Sequence, residues 1–234
     1  MRRLPPLCVA IAAFILLSEQ AAAGFNTNEA LALHITEVQS TIGCSPVGLT
    51  RNTLQETVYV LSGSEGPFFF VYLISCNGAE NPGTAGLECG IQYPGGFSAT
   101  GGFSPINVFS WNLCADSQAP VGWPNSEGSN LLSWLPINCQ QNRSEPADPG
   151  SVIGIAGYFY LAAYAPAPMT ITPRFDTGQS RVFRCDASVV DLIDHVPSRW
   201  GQAGFGGVGG YNPCLQGVVP TRQVTWARLK AFLP

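Results

Sequence analysis

The sequence predicts an all-β protein: a single, mostly antiparallel β-sandwich followed by a short C-terminal helix. Three observations lead there. Turn formers are dense, with 26 glycines and 19 prolines in 234 residues, which suits short strands joined by many turns. Apolar residues reach 46% while charged residues stop at 11%, less than half of the roughly 25% usual in globular chains. Several short runs also alternate apolar and polar residues with the period of a half-buried strand. The expected layout is a signal peptide over 1–23, a disulfide-tied sandwich over 24–222, and a helix or tail over 223–234.

The N-terminus reads as an export signal. Arg2 and Arg3 precede the apolar stretch Leu7 to Leu17, and Ala21-Ala22-Ala23 offers a small-residue cleavage pattern after Ala23. The stretch is too short to span a bilayer, which takes about 20 apolar residues, and no later segment is long enough to do so. Removing this segment takes the formal net charge from −4 to −5. Lys230 is the only lysine. Nothing is basic enough to neutralise phosphates, so nucleic acid is excluded as a partner.

Taken in order, Ala30 to Thr36 is a first strand with Leu31, Leu33 and Ile35 on one face and a solvated or hydrogen-bonded His34 on the other. Thr57 to Leu61 is a short β run. Phe68 to Cys76 is apolar on both faces, as expected of a central strand covered on both sides. Leu87 to Tyr93 alternates, with Leu87, Cys89, Ile91 and Tyr93 inward and Glu88 and Gln92 outward. Ile106 to Cys114 and Asn130 to Cys139 are expected to be neighbouring strands, each carrying an indole (Trp111, Trp134) near the core, joined by a turn-rich loop. Ser151 to Tyr164 is the longest strand candidate, with Ile153, Ile155, Phe159, Leu161 and Ala163 on one face. Its other face holds Ala156, Ala162 and the row Tyr158, Tyr160, Tyr164. Met169 to Pro173 and Arg181 to Cys185 are further strands, and Asp186 to His195 is a short helix or irregular loop. Gly204-Phe205-Gly206-Gly207-Val208-Gly209 matches a dinucleotide fingerprint in spelling only. Pro213 and Cys214 follow where that motif needs a helix. In the tail, Trp226, Leu229 and Leu233 share a helical face, with Thr225 as N-cap.

Export makes disulfides the default state of the cysteines. Cys8 leaves with the signal. Cys44, Cys76, Cys89, Cys114, Cys139, Cys185 and Cys214 remain, an odd number that leaves one thiol free. Cys89 faces the core and is the expected free thiol. The expected pairs are Cys114–Cys139 and Cys185–Cys214 across turn-rich loops, with Cys44–Cys76 left as the third. No cofactor or metal is expected. No C-x-x-C pair exists and His34 and His195 lie far from zinc-ligand spacing. Asp186, Asp191 and Asp194 lack the spacing and glycine of a calcium loop.

No catalytic motif is present. The sequence holds neither G-x-S-x-G nor H-E-x-x-H, and a carboxylate pair for glycoside hydrolysis is a property of the fold. Asn142-Arg143-Ser144 is a glycosylation sequon, relevant only in a eukaryotic secretory host. The tyrosine row offers two roles: a recognition surface, since tyrosine gives large contact area at low entropy cost, or cross-strand packing under a loop, the commoner case.

Several segments carry a resemblance. Ala85 to Tyr93, Trp111-Asn112-Leu113-Cys114, Leu132-Ser133-Trp134, Ile155 to Tyr160 and Ile171-Thr172-Pro173 follow the strand order of cohesin-like β-sandwiches, of jelly-roll type. With Tyr211-Asn212-Pro213-Cys214 they resemble more closely a group of uncharacterised exported bacterial proteins. The likeness implies a fold and carries no activity; dockerin binding does not transfer, because no dockerin-like or calcium segment is visible. The expected function is that of an exported, non-enzymatic binding or cell-envelope module for a protein or glycan. The alternative is a secreted hydrolase with an unrecognised site.

Overall fold

A computed structural model describes residues 29–38, 43–44, 68–78, 82–97, 104–120, 128–141, 152–192 and 199–214. Thr57 to Leu61, His195, Asn142 and the tail over 223–234 lie outside these residues, as does the expected signal over 1–23. The strands are β1 (Ala30–Glu37), β2 (Phe68–Gly78), β3 (Thr84–Gln92), β4 (Gly95–Phe97), β5 (Ile106–Leu113), β6 (Ser117–Ala119), β7 (Ser129–Ser133), β8 (Val152–Ala163), β9 (Ala167–Thr172), β10 (Arg181–Arg184), β11 (Val189–Asp191) and β12 (Gln202–Phe205). A single 3-10 turn, Pro136–Asn138, follows β7 among the described residues.

Two sheets pack face to face, as the alternating runs require. The five-stranded sheet has the order β1-β2-β8-β5-β4. The seven-stranded sheet runs β11-β10-β3-β7-β6, with β9 on β3 and β12 on β9. All pairings are antiparallel except β4 with β5. The core between the sheets takes Leu31, Leu33 and Ile35 from β1 and Leu87, Cys89 and Ile91 from β3, all buried as their periodicity demands. Phe69 of β2 meets Phe205 of β12 across the sandwich at 5.5 Å between ring centroids. Both indoles contribute: Trp134 is buried in this core and Trp111 packs against it, 4.5 Å from the Phe159 ring. Gly157 permits that approach, because a Cβ there would overlap the Trp111 ring. The outer edge of β1 is joined to the other sheet's chain: Leu31 N–H donates to the Arg199 carbonyl at 2.9 Å and Gly201 N–H to the Leu31 carbonyl at 2.8 Å.

Several expectations are corrected. The strands before Cys114 and Cys139 are not neighbours: β5 belongs to the five-stranded sheet and β7 to the other. The Cys114–Cys139, Cys185–Cys214 and Cys44–Cys76 pairs therefore do not form. The same six cysteines pair as Cys44–Cys114, Cys76–Cys214 and Cys139–Cys185, with Cα separations of 5.2, 5.7 and 6.1 Å. Cys139 reaches Cys185 because both flank Gly83, whose carbonyl accepts from Cys185 N–H at 3.1 Å. Cys89 is the free, buried thiol, as its inward position implied.

On β8 the register shifts opposite Leu73 and Ile74, where the chain passes from Gly157 to Ile155. The extra residue, Ala156, turns into the core, and Ile153 and Ile155 move to the outer face with Tyr158 and Tyr160. A bulge thus reverses the facing expected for the strand's first half. Asp186 to Asp191 forms a turn and strand β11 instead of a helix or irregular loop. Glu88 lies on the outer side but is buried, because Arg174 at 3.2 Å and Arg181 at 3.8 Å cover it. His34 is also buried, which leaves out the solvated alternative of the two expected for it.

Candidate functional site

The outer face of the five-stranded sheet carries an aromatic surface. On β2, Phe68, Phe70 and Tyr72 fall on one side because side chains alternate. The register places Phe70 opposite Tyr160 and Tyr72 opposite Tyr158 on β8. On β5, Phe109 follows the inward Val108 and falls on the same outer side, and the register shift after Val108 turns Trp111 inward. The rings then form a continuous chain. Tyr72 and Tyr158 lie 5.3 Å apart, Phe70 meets Tyr158 edge-on at 5.5 Å, and Phe70 meets Tyr160 at 5.5 Å. Tyr160 in turn lies 5.2 Å from Phe109 and stacks on Phe68 at 5.9 Å and 25°. Such pairs add about 0.5–1.5 kcal/mol each beyond area burial.

Burial grades along the chain of rings. Phe70 and Tyr72 are fully covered, and the Tyr72 hydroxyl reaches the Gly43 carbonyl at 3.4 Å. Burial raises the Tyr72 phenol above its ordinary value, and the neighbouring Tyr158 adds to the shift. His34 borders this end, 6.5 Å from Tyr72. Tyr158 and Tyr160 are half-buried, and Phe68 at the other end is 44% exposed. Of the expected row, the structure brings Tyr158 and Tyr160 together. Tyr164 lies beyond the end of β8, 38% exposed, where strand alternation no longer holds it in the row. Sequence reasoning missed Phe68, Phe70, Tyr72 and Phe109. The alternation of Phe68, Phe70 and Tyr72 was visible, but the register that lays them on the tyrosines was not.

Two disulfides frame this face. Cys76–Cys214 is buried within it, beside Ile74 and Ala30. Cys44–Cys114 ties residue 44 to the end of β5, next to the Gly43 carbonyl over Tyr72. Among the described residues no group of three or more His, Cys, Asp or Glu side chains could hold a metal ion, and no helix is long and apolar enough to cross a membrane. The chain is thus an all-β, disulfide-stapled sandwich with an aromatic outer face. No protein family, curated protein or solved structure matches it.

Proposed function

We propose that the chain is an exported, non-catalytic binding module whose partner, a glycan, seats on the open end of the aromatic face. Three disulfides support export, since such bonds persist in oxidising compartments. The observation that carries the binding reading is the cluster Phe68, Phe109 and Tyr160, which leaves Phe68 44% exposed in a stacked group of rings. Large exposed apolar groups gathered on one face mark interaction sites. Three partly exposed rings fall short of the roughly 800 Å² per partner that a stable protein interface needs. They suit stacking on sugar rings, so a glycan is favoured over a protein. The resemblance to cohesin-like sandwiches bears on architecture alone.

The test is depletion of the exported protein from solution by cellulose, chitin, starch and an isolated envelope fraction. Phe68→Ala is the variant of choice, because Tyr160 packs on three neighbouring rings and its loss would also weaken the sheet. The change should weaken capture roughly 30-fold, as loss of a hot-spot aromatic does, and cost about 1–3 kcal/mol of stability through its two ring pairs, which leaves the protein folded. Capture of Phe68→Ala equal to wild type contradicts the reading. Phe68-dependent capture only by the envelope fraction, lost after protease treatment, replaces the glycan with a protein partner.

A further inference from the structure

At the far end of β8 from Phe68, the same outer face descends into an open groove of about 540 Å³. Ile153 and Ile155 form its floor, brought there by the bulge at Ala156. Trp134 closes the bottom from the other sheet. A strap over 134–141 forms one wall, held by Trp134 N–H on the Ala85 carbonyl at 2.8 Å and by Gln140 N–H on the Thr84 carbonyl at 2.9 Å. Cys44–Cys114 and Cys139 stand at the sides. The groove is therefore built from both sheets and braced by two disulfides, which makes it a rigid, preformed concavity.

Its chemistry is narrow. Among the described lining residues Asp116 is the only ionisable side chain. Its carboxylate is already engaged, accepting from Leu135 N–H at 2.7 Å and from Asn138 Nδ2 at 2.8 Å. Among the described residues no lysine or arginine lines the groove. A lone carboxylate with its oxygens occupied is a poor cation site. Two carboxamides remain, Asn138 and Gln140, and Gln140 Nε2 donates to the Asn138 carbonyl at 2.6 Å, which fixes its direction. Each amide keeps a carbonyl oxygen and a second N–H in addition to these bonds. Ile137, at the crest of the 3-10 turn, is 89% exposed and borders the groove. Fixed uncharged donors and acceptors thus make up most of the groove surface, with Ile137, Ile153 and Ile155 supplying a small aliphatic part.

We infer that this groove is a binding site for a short, neutral oligosaccharide, with sugar C–H faces on Ile137 and Ile155 and hydroxyls on the Asn138 and Gln140 amides. The volume admits more than one sugar ring, and the described lining residues, which include no cation, favour neutral sugars over acidic ones. The site is separate from the Phe68 end and stands or falls without it.

The experiment is titration of the exported protein with cellotetraose, maltotetraose, chitotetraose and mannotetraose, followed by calorimetry and by the Trp134 indole resonance. At least one should bind saturably and move that resonance. Gln140→Ala and Ile137→Ala, both at exposed or half-exposed positions, should each weaken binding by roughly tenfold, the effect of one hydrogen bond or one aliphatic contact. Phe68→Ala should leave it unchanged, which separates this site from the aromatic end. Failure of all four sugars to bind at millimolar concentration overturns the inference. So does binding that is insensitive to Gln140→Ala and Ile137→Ala.

Discussion

His34 shows how strongly one buried side chain ties the fold to pH. It is 5% exposed on the outer face of the five-stranded sheet, and burial lowers its imidazole from 6.5 to about 4. The unfolded chain therefore takes up this proton at a higher pH than the folded chain. The stability linked to neutral His34 is fully present above pH 6.5 and is lost as pH falls towards 4. By pH 4 the loss should be about 3 kcal/mol from this group alone. Denaturant unfolding at pH 7 and pH 4 should show that difference shrink by about this amount in His34→Leu. An unchanged difference would mean that His34 is protonated in the fold. Cys89 is governed by the same physics. Burial, with the Glu88 charge beside it, pushes its thiol up to about 12, which leaves it unreactive in the folded protein.

At the scale of elements, a buried ion pair anchors β10 to the start of β1. Arg184 Nε and Nη2 donate to the Glu29 carboxylate at 2.9 and 3.2 Å, with both side chains buried. Burial raises the Glu29 carboxyl above the usual range, while Arg184 opposes the shift. Removing one partner strands a buried charge, so Glu29→Ala should cost about 3–5 kcal/mol. Replacing both by apolar residues should cost much less, and chemical denaturation of the three variants distinguishes the outcomes. Equal losses in Glu29→Ala and the double variant would contradict the pairing. Neither partner announced itself in the sequence, since 155 positions separate them. The strands themselves were legible where periodicity is local: β2, β3 and β9 fall almost where their apolar runs place them. The facing of β8 was half legible. Phe159, Leu161 and Ala163 turn inward as expected, but Ala156 inserts a bulge, and a bulge leaves no mark on a run of small and apolar residues. For the same reason Tyr158 and Tyr160 could be placed on one face while the phenylalanines beside them could not, because cross-strand register is a relation between distant segments.

For the molecule as a whole, strand order decides which cysteines meet. Pairing cysteines across the nearest turn-rich loop assumed that β5 and β7 lie side by side, and they lie in opposite sheets. The bonds that form instead span 46, 70 and 138 residues. Loops of these lengths correspond to about 4–5 kcal/mol each in the chain-entropy account. Their positions matter more than their number. One lies under the aromatic face, one pins residue 44 beside it, and one braces the strap that walls the groove. The face and the groove both depend on that pattern, so non-reducing peptide mapping of the exported protein tests the account most directly. It should recover Cys44–Cys114, Cys76–Cys214 and Cys139–Cys185, with Cys89 alkylated only after denaturation. Recovery of Cys114–Cys139 would place β5 beside the strap's far end and contradict both the fold and the sites built on it.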